Sequence, residues 1–573
     1  MATITDSRRL TGPNLLSDRP GAILDLSLAP GDEVQVVAAW RESARRILNA
    51  VEWNAEHLYT RTFPGGASLV LTAPIDALYA ATEVNEWAWE AAEASLLERE
   101  SPSLADATRR LLELIKRERN PRLIRLEQAA VEHQVAFLSD DRAASVGLGS
   151  GSFTWPIDQL PDVDTIPWDK VHDVPVALVT GCNGKTTTVR LVAAMIEAAG
   201  HVPGLTSTDA ISVGRETIDR GDWAGPGGAR MMLRDTRVER AVLETARGGI
   251  LRRGLAVHRA NVALVTNIAE DHLGEFGVHD LRSLAETKMV VARVVAPNGR
   301  VVLNADDPAL RAEGSAVAAP VTWFTLDAAL PFVRTHVAGG GDAVYEAEGA
   351  VVLDQAGKAT IVERVERIPL TLDGLARYNV ANVLGAIGVA AGLGIPLESI
   401  AAALREFRPS SEDNPGRLNV FDLSGARVIL DFAHNPHGVA AVVSMAAALP
   451  AERRLVLIGQ AGDRDDESIR GLARAAWGAH PDRIVIKELA RHLRGRAPGE
   501  VPAILAEEFL RLGASKDRLV VVDSEMAGVR EALAWARTGD LILLPVQGDR
   551  DETLRLLRQL EKSRWKPGED LPA

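Results

Sequence analysis

One stretch, residues 176–200, constrains this chain more than any other; it reads VALVTGCNGKTTTVRLVAAMIEAAG. Its first five residues are apolar and β-prone and read as a buried strand. Gly181, Asn183 and Gly184 then make a tight turn. Lys185 opens a segment with apolar residues at helical spacing (Val189, Val192, Ile196), and Gly200 marks its stop. A strand, a glycine turn, Lys-Thr-Thr and a helix describe a phosphate-binding loop. In such a loop backbone N–H groups wrap the phosphates, the helix N-terminus favours their charge, Lys185 supplies a point charge and Thr186 ligates magnesium. The spacing departs from the general Walker pattern, because Val179 stands where its first glycine would fall. Gly181, Asn183, Gly184, Lys185, Thr186 and Thr187 are the nucleotide-binding candidates.

A length of 573 residues predicts about three domains. The composition, 46% hydrophobic and 25% charged, is that of an ordinary globular chain. No apolar run approaches the roughly 18 residues of a membrane span, and the opening MATITDSRRLTGPN has no apolar signal region. With one cysteine no internal disulfide forms, which agrees with a cytoplasmic location. A net charge of −14 argues against a general nucleic-acid binder but is compatible with basic pockets for an acidic substrate.

Residues 1–150 read as a separate α+β unit, with helical periodicity over 38–56, 75–98 and 104–119 and a strand at 69–72. The glycine- and proline-rich stretch 151–172 reads as a linker. From 173 to about 410 strand and helix alternate, which predicts an α/β domain with a mainly parallel sheet covered on both faces. Apolar runs at 241–245 and 262–267 end beside Glu244 and His272. Ligands in such sheets bind at the carboxyl ends of the strands, so a carboxylate and an imidazole there suit a divalent cation on a nucleotide's phosphates. Strand-end capping and a surface histidine are the plain alternatives. Lys288 lies on a following helix (281–294), within an apolar-faced segment where a snorkelling lysine is the plain reading. Asn379 and Asn382 share one helical face, either as capping groups or as an amide surface for a purine.

Residues 411–573 read as a second α/β domain. NPGRL at 414–418 marks a hinge, and strands at 428–431, 455–458, 484–486, 519–523 and 541–544 follow. Asp431, His434 and Asn435 fall at the end of the first of these. Arg464, Lys487, Arg494 and Arg496 form a basic set at successive strand ends. It is read equally well as a solvated cluster or as a receptor for a carboxylate-bearing amino acid.

The motifs TGCNGKTTT, LETARGGILRRGL, VTNIAEDHLG, GLARYNVANVLGA, NPGRL and DFAHNP resemble those of the Mur ligase superfamily. Among its members the likeness is strongest to the Mur-like half of the cyanophycin synthetases. It reaches the N-terminal unit through GPNLLSDRPG and includes the junction SVGLGSGSFTWP, which in those enzymes flanks an ATP-grasp module that is missing here. The resemblance implies a Mur-type central ATP-binding domain and a Rossmann-like C-terminal domain. It implies ATP and two Mg²⁺ ions, with Lys185 and Thr186 at the phosphates and first ion, and Glu244 and His272 at the second. Lys288 matches a lysine that is carbamylated in many Mur ligases. Asn379 would face adenine, Arg417 and Asp431 would hold the nucleotide from the hinge side, and His434, Asn435, Arg464 and Arg494 would meet the substrates.

The activity so implied is ADP-forming amide ligation through an acyl phosphate, joining an amino acid to an aspartyl or glutamyl side-chain carboxylate. Two alternatives stay open at this point: a folylpolyglutamate- or poly-γ-glutamate-type glutamyl ligase, and a non-catalytic ATP-binding subunit. Acidic peptides and amino acids are the expected partners, with a homo-oligomer or a separate ATP-grasp enzyme beside them and neither nucleic acid nor membrane. Cys182 replaces a threonine usual in the resembling loops. Its place ahead of a helix N-terminus and beside Lys185 predicts a reactive thiol that Mg-ATP would shield.

Overall fold

A computed structural model describes residues 2–271 and 273–572. Near the N-terminus, strands Thr3–Leu10, Gly21–Ser27, Gly66–Thr72 and Leu58–Phe63 form an antiparallel sheet in that spatial order. Helices Glu33–Ala50 and Leu78–Leu96 pack over it, burying Trp40, Ala44 and Ile47 from the first and Ala81, Val84 and Ala88 from the second. These residues recur at three and four, the spacing that puts side chains on one helical face. The buried Trp40 indole keeps a partner by donating to Asn85 Oδ1 at 2.9 Å.

The stretch read as a linker is more ordered than its composition implies. Strand Phe153–Pro156 pairs with Ala143–Val146, which pairs with Phe137–Ser139. Helix Pro121–Glu132, absent from the sequence reading, starts at Asn120, whose side chain accepts from Leu123 N at 3.2 Å. Leu126, Ala130, Ala144, Val146, Leu160 and Ile166 make a small core of their own. Here glycine and proline shape tight turns between packed residues, not slack chain.

In the central domain, strands Pro203–Thr206, Arg240–Glu244, Val176–Thr180, Ala260–Val265, Val295–Asn304, Val321–Thr325 and Asp342–Ala347 lie side by side and parallel. Antiparallel strands extend both edges: Ala210–Val213 and Glu216–Arg220 at one, Ala350–Gln355 and Lys358–Arg364 at the other. Because both faces are covered, the inner strands read as continuous apolar runs; Ala177, Val179, Val242 and Leu264 face one core, and Leu178, Leu243 and Ala263 the other. The helix that carries Lys288 is shorter than expected, Leu281–Lys288, with a further turn at Val290–Arg293.

The C-terminal sheet runs Asn419–Leu423, Ala426–Asp431, Leu541–Pro545, Arg454–Ile458, Arg483–Lys487, Leu519–Val522, with only the first strand antiparallel to its neighbour. Lys487 corrects the basic set. It is 0% exposed, pairs with Glu525 and donates to the Pro545 carbonyl at 2.5 Å and Gln547 Oε1 at 2.9 Å. A buried ammonium needs such partners to offset its lost hydration, so Lys487 belongs to the interior. Arg496 likewise donates to the Gly462 and Arg464 carbonyls, at 3.1 and 2.6 Å. Among the described residues no helix is long and apolar enough to cross a membrane.

Candidate active site

The carboxyl ends of the two parallel sheets face each other across a cleft of about 1730 Å³. At its floor the chain turns from strand Val176–Thr180 into helix Lys185–Ala198. The turn works only with glycine. Gly184 has φ +87°, and a Cβ there would run into Asn382 Oδ1; one at Gly181 would run into the Thr266 hydroxyl. A backbone with no side chain to interpose leaves its amides open to a phosphate. Lys185 Nζ is parked on the Cys182 carbonyl at 3.1 Å.

Below the loop lies Glu244, at the end of its strand and 2% exposed. Its Oε2 accepts from Thr186 Oγ1 at 2.8 Å and Thr208 N at 3.3 Å. Its Oε1 is buried without a hydrogen-bond partner among the described residues. Burial pushes the Glu244 carboxyl up, against the opposing pull of Lys185 and the Thr186 hydroxyl. An orphaned carboxylate oxygen beside a threonine hydroxyl and a phosphate loop is a donor set that fits Mg²⁺, a hard cation that takes one or two carboxylates and completes its shell with phosphate and water. His272, the other expected ligand, lies outside the described residues. Lys288, 3% exposed, donates from Nζ to the Gly181 carbonyl at 2.8 Å. Burial lowers its pKa and so favours the neutral amine.

Cys182 departs from expectation. Its side chain is 2% exposed and packs in the core, with Sγ donating to the Ala269 carbonyl at 3.1 Å and accepting from Ala269 N at 3.2 Å. The loop's backbone faces the cleft, whereas this thiol turns inward. Asn379 and Asn382 do share a face of helix Arg377–Gly392. Asn382 Nδ2 donates to Asn379 Oδ1 at 3.0 Å, and Asn379 Nδ2 donates to the Leu370 carbonyl at 3.1 Å. Both line the cleft.

From the opposite wall, Asp431 accepts from Leu418 N and Ala433 N, each at 2.8 Å. Arg417 lies over the Phe432 ring, 4.1 Å from its centroid. Asn435 accepts from Gly438 N at 2.8 Å, capping helix Pro436–Ala448. It also exchanges amide hydrogen bonds with Asn183 of the phosphate loop, at 3.1 and 3.3 Å. The two domains therefore touch at the phosphate end of the cleft. His434 Nε2 and Arg464 Nη2 each come within 3.9 Å of Asp271 Oδ1. Arg464 also pairs with Asp463, at 2.8 Å, and Arg494 pairs with the same carboxylate.

Three participants escaped the sequence reading. Asp209 holds Arg190 at 2.7 Å, pairs with Arg550 and lies 4.0 Å from Arg417. Asp271, next to the expected His272, gathers the C-terminal residues just described. Arg247, in helix Arg247–Arg253, donates from Nη2 to Glu275 at 2.5 Å; its Nη1 is buried without a hydrogen-bond partner among the described residues, and the side chain lines the cleft. Its place in the motif LETARGGILRRGL was a signal that could have found it. Asp209 had none, since Arg550 stands 341 residues away.

Comparison with known proteins agrees with this geometry. A Mur ligase middle-domain model matches residues 179–390, and a Mur ligase glutamate-ligase-domain model matches 416–545. Cyanophycin synthetase of Synechocystis sp. is 38% identical over 354 residues, covering 62% of this chain and 40% of that enzyme. The chain thus spans about two fifths of the length of that relative. UDP-N-acetylmuramoyl-L-alanyl-D-glutamate–2,6-diaminopimelate ligase of Gloeobacter violaceus is 28% identical over 388 residues, 66% of this chain and 72% of that enzyme. The structure of E. coli FolC in complex with DHPP and ADP superposes with a TM-score of 0.50 at 19% identity, over 68% of this chain and 89% of that chain, a likeness of fold. The two family models fall in order on the two sheets that frame the cleft and together cover more than half of the sequence, and the chain belongs to the Mur ligase family.

Proposed function

We propose that this chain is an ATP-dependent, ADP-forming ligase that joins an amino acid to a side-chain carboxylate of an aspartyl or glutamyl acceptor. The observation that carries the reading is the phosphate loop with Thr186 and the orphaned Glu244 oxygen beneath it, set in a cleft shared with a second domain. The loop amides and Lys185 hold the ATP phosphates, Thr186 belongs to the first magnesium ion, and Glu244 with His272 to a second. The ions supply neutralisation of the charge that spreads over the transferring phosphoryl group.

A carboxylate oxygen of the acceptor attacks the γ-phosphorus, and ADP departs with the electrons of the broken P–O bond. The amine nitrogen then attacks the acyl carbon, releasing phosphate and a proton. Lys288, as a carbamate, brings an anion to the foot of the loop; its buried, neutral-favouring amine is the form that reacts with CO₂. The Asn183–Asn435 contact closes the phosphate end against water. The open Arg247 donor supports an acidic acceptor, and the His434–Asp271–Arg464 cluster supports amine binding from the C-terminal domain.

The test crosses aspartyl and glutamyl dipeptides with the twenty amino acids under Mg-ATP, following ADP and phosphate release and the mass of the product. Release that requires both substrates, with a product lighter by one water than their sum, is the expected result. No release with any pair refutes the reading, and release with a folate plus glutamate instead moves the acceptor assignment.

A further inference from the structure

We propose that Arg8, in the N-terminal domain, is a positioning residue for the wall of the cleft that carries Arg247. Arg8 is buried and does not line the cleft, so it touches no substrate there. Its Nε and Nη2 both donate to the Leu251 carbonyl, at 3.1 and 2.9 Å. Leu251 lies one turn beyond Arg247, in the last turn of helix Arg247–Arg253, where carbonyls have no partner within the helix. The guanidinium carbon Cζ of the same side chain lies over the Phe276 ring, 4.7 Å from its centroid. Phe276 follows Glu275, the carboxylate that holds Arg247.

One side chain therefore touches both segments whose residues form the Arg247–Glu275 pair. Arg8 is itself fixed by Asp25 at 2.5 Å and Asp6 at 3.0 Å, so it transmits the position of the N-terminal sheet. Neighbouring backbone bonds tie the same surfaces: Thr11 N donates to the Arg253 carbonyl at 2.8 Å, and Leu255 N to the Pro13 carbonyl at 2.7 Å. A planar fork that bonds a carbonyl along one edge and stacks on a ring with its face is a task for arginine and not for lysine. The proposal rests on the reading that Arg247 meets the acceptor. It gives the N-terminal domain a task in the reaction, that of holding the acceptor-side wall in register.

The test is amide hydrogen exchange on the full-length chain, comparing wild type, Arg8→Ala and Arg8→Lys, with ADP affinity measured by calorimetry. Arg8→Ala is expected to speed exchange at least tenfold in residues 247–255 and 273–280. Residues 176–198 should stay unchanged and ADP affinity within twofold. Arg8→Lys retains a donor for Leu251 but not the stack on Phe276, so 247–255 stays protected and 273–280 does not. A general loss of stability would move both segments together. The proposal is overturned by unchanged exchange in both segments, by Arg8→Lys matching wild type in both, or by a parallel fall in ADP affinity. Should Arg8→Ala fail to fold, the split in Arg8→Lys decides. With any acidic dipeptide that supports phosphate release, Arg8→Ala should raise its KM at least tenfold while the KM for ATP holds; an unchanged dipeptide KM overturns the proposal. Absence of release in wild type counts against the ligase reading alone, since the exchange result needs no turnover.

Discussion

Replacing Asp209 by asparagine tests how the C-terminal domain is held on the central one. The carboxylate is 8% exposed and is shared by Arg190 from the central domain, by Arg417 in the hinge segment and by Arg550 beyond it. At an effective dielectric of about 20, unit charges about 4 Å apart attract by roughly 4 kcal/mol. Asparagine removes three such attractions and leaves three guanidinium groups facing one another. The gross sum overstates the loss, because part of the desolvation cost of the carboxylate disappears with it. Breaking a buried pair from one side costs about 3–5 kcal/mol, which is the magnitude expected here.

Since two of the three arginines lie in or beyond the hinge, most of that loss falls on domain docking. Urea unfolding followed by tryptophan fluorescence should show an earlier first transition, and small-angle scattering a larger radius of gyration. Adding Arg550→Gln should recover part of the loss by removing one unpaired cation. Burial pushes the Asp209 carboxyl up, but Arg417, Arg190 and Arg550 outweigh this and hold it below 3.8. A depressed folded-state pKa means that the contribution is complete above about 3.8 and fades as pH falls through the lower folded value. Wild-type docking should therefore survive to about pH 4 and then weaken, a step the asparagine variant lacks. A variant within about 1 kcal/mol of wild type and of equal radius would refute the reasoning.

Lys185→Ala should abolish turnover, a loss of about 2–4 kcal/mol of transition-state stabilisation, with little change in Tm, since among the described residues its ammonium donates to the Cys182 carbonyl alone; near-normal turnover in the folded variant would remove the loop from the mechanism. Lys288→Ala should be severely impaired and Lys288→Arg should not rescue it, while ¹³C-bicarbonate should give wild type a carbamate resonance that both variants lack. Because burial depresses the Lys288 pKa, the unfolded chain binds the extra proton up to the ordinary value of 10.5. Stability thus rises with pH in that window, and Lys288→Met should flatten the slope. Cys182, turned into the core, should be alkylated slowly with or without Mg-ATP; fast labelling that Mg-ATP prevents would contradict its burial.

What the sequence made legible was local. The phosphate loop was readable because strand, turn and helix lie within 25 consecutive residues, and the β-prone run, the glycines and the helical spacing each act on neighbours. The Asn379–Asn382 pairing followed from a spacing of three. Side-chain direction at a turn is not fixed that way, so Cys182 was placed correctly in the chain and wrongly in space. Lys487 fell into a basic set, solvated or substrate-binding, because the groups that accept it, Glu525 and Gln547, arrive from elsewhere in the fold. The same holds for Asp209 and for the small core inside 120–171, where packing overrode a loop-like composition.

The reciprocal amide contact between Asn183 and Asn435 has a kinetic consequence. It joins the phosphate loop to the cap of a C-terminal helix through neutral groups, so mobile ions do not screen it. The charges around Asp209 lie beside the same loop, since the neighbouring Thr208 bonds Thr186, and being buried they are screened far less than surface charges. Raising the ionic strength should therefore loosen neither tie strongly, and the two domains should stay docked at the phosphate loop. A nucleotide seated there would leave only when the amide latch lets go, and its residence time should change little with salt.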